Sequence, residues 1–499
     1  MEIIINNRKI KISITNILYI LVFALFALFV IKDLAYNTAF VDEAIYATIG
    51  EEALRGSFWE RGLSWMGGSY IYPVISALIN RSLGLWGIRL FSVFTVLTAA
   101  FVSGEIANKL SGKKARLITV TLFLFSGIAM NLAQLGTYDA PALLFLSISF
   151  YLGMISREQK RFSLFSIPLS AIFFSLAVMS KYIVIIFTPV IALSFFDFKW
   201  SRFAFGLIWT TIIVFILGAF AYFNFDSLYV LFTGSAFKEP TTHLQIIKDT
   251  WKFLGILIPL SIIGAIYTFL KKKKNFLLFL SLFAGSMAPF SYHFLFLNAR
   301  SYWKHLVMAE VLMIPLAGVF LAFLYNKVIK LIKQKAFIDN ASQILTSIII
   351  LSSVLWLRHN FKDHWIFQRS WPSATPSLEY LKDHRQDGDV ILAEGSAIYK
   401  YHLFAGFQDP SAWQSTWYAN YNGLEGVEAM KQAIRDRHYD YVVLNGYFTG
   451  DVVYELLPVL DQYYDVVHKD TYAESGAYER ETLVWAPKEK FLENSDVNN

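Results

Sequence analysis

Apolar runs long enough to cross a bilayer recur along most of this chain. A spanning helix needs roughly 17–25 apolar residues. Such runs lie near 14–35, 87–108, 117–134, 140–156, 163–179, 182–197, 204–224, 254–270, 276–296, 305–325 and 341–357. They predict eleven transmembrane helices, with a tight turn between 163–179 and 182–197. The stretch 70–85 is apolar but short, and reads as re-entrant or interfacial. Beyond 357 the pattern changes. Val390–Ala393, Tyr441–Asn445, Val466–His468 and Thr482–Trp485 read as short strands, and Ser377–His384 and Leu424–Arg437 as helices. The expected architecture is a polytopic α-helical membrane body over 1–357, whose outer loop at 36–86 carries juxtamembrane helices, followed by a small α/β domain over 358–499. The segment from Gly446 to Gly450 reads as a turn after a strand rather than a ligand cradle, and no short internal repeat is present.

Composition agrees. Of 499 residues 56% are hydrophobic and only 16% charged, against about 25% in ordinary soluble proteins. A soluble enzyme, a disordered chain and a fibrous repeat are excluded on that ground. The charges also divide the chain. Residues 1–357 contain 16 acids and 31 bases, net +15, whereas 358–499 contain 22 acids and 13 bases, net −9. The overall +6 averages two different objects. Because the bases lie between apolar runs and not on one face, membrane lipids are expected partners and nucleic acid is not. With no Cys, disulfides, thiol catalysis and Cys metal sites are excluded.

Lys and Arg orient the spans. Alternate loops contain Arg8, Lys9 and Lys11; Lys109, Lys113, Lys114 and Arg116; Arg157, Lys160 and Arg161; Lys199 and Arg202; Lys271 to Lys274; and Lys327, Lys330, Lys333 and Lys335. That face is read as cytoplasmic, together with the N-terminus. An odd number of spans then exports the C-terminal domain, giving a multi-pass cell-membrane protein. The first span does not read as a cleaved signal, since no small-residue cleavage pattern closely follows its long apolar run.

Acidic residues are rare in the body, so each can be weighed. Asp42 and Glu43 follow the first span, in the segment Phe40 to Tyr46, and open a helix that their charge would cap. Asp139 lies in the segment Gln134 to Pro141, between the third and fourth spans, where it too would cap a helix. All three are placed on the outer face, where carboxylates at the ends of neighbouring spans also suit an interfacial active site. The same face has isolated cations: Lys181 in a turn between apolar helices, and Arg300, Lys304 and His305 ahead of the tenth span. Lys181 reads equally as a side chain snorkelling to headgroups. Cations on a base-poor face invite an anionic partner, and Arg300 and Lys304 read as a phosphate-binding pair.

In order, these features resemble the C-type (GT-C) membrane glycosyltransferases, closest to the protein O-mannosyltransferases and the lipid A aminoarabinose transferases. The resemblance covers roughly residues 1–330. It rests on Asp42-Glu43, on the second span from Gly87 to Ser92 with its basic turn from Lys109 to Lys114, and on Ala299 to His305 followed by Ile314-Pro315. One segment departs from the pattern: relatives often place Lys or His before the Pro of the re-entrant stretch, whereas Trp65 to Pro73 has no cation.

The resemblance implies a polyprenyl-phosphate sugar as donor and a protein, lipid or glycan as acceptor. Asp42 would be the general base of an inverting transfer, Glu43 would adjust its environment or orient the acceptor, and Asp139 would position sugar or acceptor. Lys181, Arg300 and Lys304 would hold the phosphate, and His305 would be structural. No cofactor is required, although Asp42, Glu43 and Asp139 are oxygen ligands suited to a divalent cation such as Mg or Mn. Two readings from other classes use the same charges: a transporter or flippase of lipid-linked sugar, and a non-catalytic membrane scaffold.

Overall fold

The structure is a computed structural model that describes residues 2–5, 8–11, 14–56, 69–158, 160–196, 200–233, 239–271, 276–333, 355–403, 412–473 and 479–488. The chain divides into two compact units. One comprises Met1–Leu34, Trp59–Tyr72 and Trp86–His364; the other comprises Ala35–Phe58, Pro73–Leu85 and Trp365–Asn499.

The first unit opens with a short hairpin, β1 (Glu2–Ile5) and β2 (Arg8–Lys11), and is otherwise helical. Its helices are α1 (Ile14–Ile31), the greater part of α3 (Ile71–Ser111), α4 (Lys113–Leu124), α5 (Gly127–Ala133), α6 (Asp139–Glu158), α7 (Lys160–Ser180), α8 (Thr188–Phe195), α9 (Trp200–Phe223), α10 (Phe225–Thr233), α11 (His243–Leu254), α12 (Leu257–Lys271), α13 (Phe276–Phe296) and α14 (Tyr302–Lys333). Helix α2 (Val41–Leu54) lies in the second unit. Among the described residues seven helices are long and apolar enough to cross a membrane, or nine if the bent pairs α4–α5 and α11–α12 each count as one span. These nine correspond to nine of the eleven expected spans. The run at 182–197 is instead a 3-10 turn, Tyr182–Phe187, leading into α8, and this helical stretch, Tyr182–Phe195, is short for a crossing. The run at 341–357 lies almost wholly outside the described residues.

Burial separates the helices by role. A helix apolar on all sides belongs inside a bundle or against lipid. Helix α14 is the inside case, with Leu306, Val307, Val311, Leu312, Ile314 and Leu316 fully buried. Small residues let its neighbours approach: a Cβ on Gly264 of α12 would stand 2.0 Å from the Leu316 carbonyl oxygen. Helix α9 is the outer case, exposing Leu207, Val214 and Phe215 as a lipid-facing side would. The short stretch 70–85 proves to be the first arm of α3, which breaks at Gly84 (φ +61), a left-handed conformation that glycine adopts without a Cβ penalty. Beyond the break, Arg89 is fully buried and donates from Nη1 to the Leu34 carbonyl at 2.7 Å, satisfying the end of the chain that leaves α1.

The second unit has a five-stranded sheet in the order β4-β3-β7-β9-β8, formed by β3 (Ile391–Ala393), β4 (Trp413–Ser415), β7 (Tyr441–Leu444), β8 (Tyr464–Ala473) and β9 (Glu479–Pro487). β3 pairs in parallel with β4 and β7, while β9 runs antiparallel to β7 and β8. A two-stranded ribbon, β5 (Asn420–Tyr421) with β6 (Leu424–Glu425), stands apart. The helices are α15 (Thr375–His384), α16 (Ser396–Leu403), α17 (Gly426–Arg435) and α18 (Gly450–Tyr463). The expected strands and helices are all present, to within a few residues at most ends, although Leu424–Glu425 is strand β6 ahead of α17; β4, the ribbon β5–β6, α16 and α18 are additions.

This unit also contains α2 and the first arm of α3. Ala39, Val41 and Ala44 share one apolar core with Leu378, Ile391, Ala393, Ile398, Tyr399 and Trp413. Helix α2 meets the α3 arm at Gly50, where a Cβ would lie 1.8 Å from the Pro73 carbonyl oxygen. Next to Gly50, Glu51 is gripped by Arg81 farther along the α3 arm, with Nε–Oε2 at 2.9 Å and Nη2–Oε1 at 2.7 Å. That hydrogen bond, with the Arg81 charge behind it, holds the Glu51 carboxyl below the usual carboxylate range.

Candidate active site

In the membrane unit three of the residues singled out in the sequence come together. Asp139 is the first residue of α6, Lys181 follows the last residue of α7, and Lys304 lies in the first turn of α14. All three are thus at one end of the helices, and the basic residues Arg157 and Lys327 lie toward the other ends of α6 and α14. Asp139 is fully buried, while Lys181 and Lys304 are 8% and 6% exposed. Lys181 Nζ donates to Asp139 Oδ1, the Thr137 hydroxyl donates to Oδ2 at 3.0 Å, and Lys304 Nζ stands 3.9 Å from Oδ2.

The expected helix cap is therefore not what this carboxylate does. Among the described residues it accepts from the Thr137 hydroxyl and faces two ammonium groups, and it is bonded to no backbone N–H of α6. Nor does Lys181 snorkel: it turns inward and also lies 5.1 Å from the centroid of the Tyr138 ring. Two ammonium groups thus face one carboxylate, in surroundings where a charge interaction is stronger than in water.

Local backbone chemistry places Lys181. The residue is extended (φ −149, ψ 111), breaking the chain between α7 and the following 3-10 turn. Its N–H still closes on the Ala177 carbonyl at 2.9 Å. Ser69 fastens the same corner, its hydroxyl donating to the Met179 carbonyl at 2.7 Å. On the other side, His293 Nδ1 bonds the Asn298 carbonyl and its Nε2 meets His305 Nδ1 at 2.7 Å. A carbonyl only accepts, so His293 Nδ1 carries a proton, and in the neutral ring Nε2 accepts from His305. This chain ties α13 to the start of α14, the structural use expected for His305. Arg300 lies half-buried on the loop before α14, its N–H held by Asn298 Oδ1 at 3.0 Å.

Asp42 and Glu43 occupy the first turn of α2 in the other unit. Glu43 is fully buried, and its Oε2 accepts from the Phe40 N–H at 2.8 Å, reaching back to cap the helix. Asp42 is half-buried. Of the adjacent carboxylates, Glu43 does the capping that its position suggested. Among the described residues no group of three or more His, Cys, Asp or Glu side chains could hold a metal ion. The donors named for a divalent cation fit one poorly, since Glu43 serves its own helix and Asp139 already faces two lysines.

Thr137, Ser69 and His293 were not legible as site residues. Thr137 alone had a local signal, a hydroxyl two positions ahead of an acidic helix start. The contacts of Ser69 and His293 are tertiary.

Comparison with known proteins bears on this arrangement. Residues 66–223 match the family described as dolichyl-phosphate-mannose-protein mannosyltransferase. Among curated proteins, none matches the chain. Solved structures do. The apo crystal structure of ArnT from Cupriavidus metallidurans is 14% identical, with a TM-score of 0.60 over 93% of this chain and 97% of that one. The same protein bound to undecaprenyl phosphate is also 14% identical, with a TM-score of 0.59 over 95% and 98%. The archaeal oligosaccharyltransferase AglB from Archaeoglobus fulgidus, in complex with an inhibitory peptide and a dolichol-phosphate, is 10% identical, with a TM-score of 0.54 over 92% and 74%.

Proposed function

We propose that this chain, a multi-span membrane protein with the fold of the GT-C glycosyltransferases, transfers a sugar from a polyprenyl-phosphate donor to an acceptor hydroxyl on the extracytoplasmic face of the cell membrane. The observation that carries this reading is the buried Lys181–Asp139–Lys304 cluster. Two ammonium groups brought to one buried carboxylate set a pair of cations at one end of the helices, which suits the phosphate of a lipid-linked sugar. The match of residues 66–223 to a family described by such a donor, and the fold of a protein captured with undecaprenyl phosphate, support the same donor class.

The chemistry is a single displacement. The acceptor oxygen attacks the anomeric carbon, the bond from that carbon to the phosphate oxygen breaks, and the electron pair leaves with the polyprenyl phosphate. Attack opposite the leaving group inverts the anomeric centre. The acceptor proton passes to the Asp42 carboxylate, the general base. Glu43, committed to capping α2, keeps the turn that presents Asp42. Lys181 and Lys304 meet the charge that grows on the phosphate, with Arg300 on the adjoining loop contributing from outside the buried cluster. Asp139 is their counter-ion. It offsets part of the repulsion between them and holds Lys181 in place before the donor arrives. A phosphate leaves without protonation, so no general acid is needed.

The test is donor turnover by the purified protein, with polyprenyl-phosphate mannose, glucose and aminoarabinose offered in turn together with a cell-envelope extract that supplies acceptor hydroxyls, and release of polyprenyl phosphate measured. Sugar transfer whose kcat/KM for the donor falls in K304Q supports the reading. Movement of the lipid across a vesicle bilayer with no product would replace it with a flippase.

A further inference from the structure

The residues just ahead of Asp42 are held by the sheet unit at every position from Asn37 to Phe40. Asn37 Nδ2 donates to the Trp371 carbonyl at 3.0 Å. Thr38 Oγ1 accepts from the Ala374 N–H at 3.1 Å, and the Thr38 carbonyl accepts from Trp371 Nε1 at 3.3 Å. The Ala39 N–H donates to His402 Nε2 at 3.1 Å. The Phe40 ring packs on Trp371 at 5.1 Å and on Phe448 at 6.4 Å between centroids.

Phe448 is itself fixed by an internal anion. Glu394 directly follows β3 and is almost fully buried. Its Oε2 accepts from the N–H groups of Asn445 and Gly446 at 2.8 and 2.6 Å, and its Oε1 from those of Phe448 and Thr449 at 2.6 Å each. The Thr449 hydroxyl reaches on to Thr416 at 2.8 Å, beyond β4. The ends of β3, β4 and β7 thus converge where open α/β sheets commonly bind a ligand. Here the backbone cradle is filled by the chain's own carboxylate, and the loop it shapes is turned to holding Phe40.

We propose that His402 and Glu394 are positioning residues that set where the Asp42 carboxylate stands, and that this is the task of the C-terminal sheet. The inference rests on the reading of Asp42 as the base. His402 fixes the backbone three residues ahead of Asp42, and Glu394 holds the Phe448 loop whose ring packs on Phe40, two residues ahead of it. A base misplaced by about 1 Å can cost on the order of 100-fold in rate, whereas donor phosphate binding by other residues is untouched. The signature is therefore a fall in kcat with the donor KM unchanged.

The test compares the parent, D42N, H402F, H402Q and E394Q, using the acceptor extract and whichever of the three donors named above turns over fastest. H402F removes the acceptor for the Ala39 N–H and lowers kcat about 10- to 100-fold, with the donor KM within about twofold. H402Q restores an acceptor oxygen and recovers most of that loss. E394Q opposes an amide NH2 to two N–H donors and falls like H402F. Where H402F does not fold, W371F serves, since it keeps an aromatic ring and loses only the indole donor to Thr38. An unchanged kcat in H402F, failure of H402Q to improve on it, or a loss confined to donor KM overturns the positioning role. A D42N chain that keeps the parent's turnover overturns the base assignment instead, and a parent without turnover on any donor overturns the activity.

Discussion

The Lys181 ammonium and the Asp139 carboxylate form an ion pair across 42 residues of sequence, with side chains only 7% and 1% exposed. Removing one member of such a pair leaves a buried charge uncompensated and costs about 3–5 kcal/mol, whereas removing both costs much less. K181M and D139N are each expected to lower the unfolding temperature of the detergent-solubilised protein strongly. The double variant should lose clearly less than the two losses combined. Strictly additive losses would show that the pair contributes no coupling.

Lys304 is held differently. At 3.9 Å its contact with Asp139 is at the limit of an ion pair. K304Q should lower kcat/KM for the donor at least tenfold through the lost phosphate contact in a protein that still folds. Binding of the polyprenyl phosphate product, measured alongside the melting temperature, separates a lost contact from a lost fold. A variant that melts early and binds normally would make Lys304 a structural residue.

At Gly50 the crossing of α2 with the arm of α3 leaves no room for a side chain, because a Cβ would sit 1.8 Å from the Pro73 carbonyl oxygen. The obstacle is backbone and cannot turn away. G50A is expected to destabilise the unit that holds Asp42 by about 1–3 kcal/mol, and G50V by more. Thermal unfolding followed by tryptophan fluorescence checks this. A parent-like melt for G50V would rule out the close crossing.

Glu51 gives the same crossing a dependence on pH. The Arg81 hydrogen bonds depress its folded-state pKa, so their stabilisation is present above the ordinary carboxyl pKa and fades as pH falls through the lowered folded value. The parent should lose melting temperature on acidification from about pH 5 to pH 3 more steeply than E51Q. At pH 7 the parent should be the more stable of the two, by less in high salt because Arg81 is exposed. Parallel pH curves for parent and E51Q would contradict this.

Much of the fold was written in local pattern. Uninterrupted apolar runs marked nine spans, and alternating short runs marked four of the five sheet strands, because burial on one side or all sides constrains residue type directly. The run at 182–197 misled because Lys181 leaves α7 in extended backbone, so the apolar residues after it are spent on a 3-10 turn and a short helix. The site was half legible. Scarcity of charge in an apolar body pointed to Asp139, Lys181 and Lys304, but not to the pairing that makes Asp139 a counter-ion instead of a cap. Nothing local to Thr38 or His402 announced that residues more than 330 positions apart would meet just ahead of α2. Those contacts depend on the chain returning to the sheet after the last membrane helix, and such long-range packing has no periodicity to read.

Glycosyl transfer from a polyprenyl phosphate with Asp42 as base has a direct readout. The purified parent and D42N are each mixed with the three polyprenyl-phosphate sugars and a cell-envelope extract that supplies protein, lipid and glycan hydroxyls as acceptors, and polyprenyl phosphate release and product mass are followed by mass spectrometry. Release and a sugar-bearing product are expected with the parent on at least one donor, and a fall of at least about 100-fold in D42N with the variant still folded. Equal release by the two proteins, or none by the parent on any donor, would contradict it.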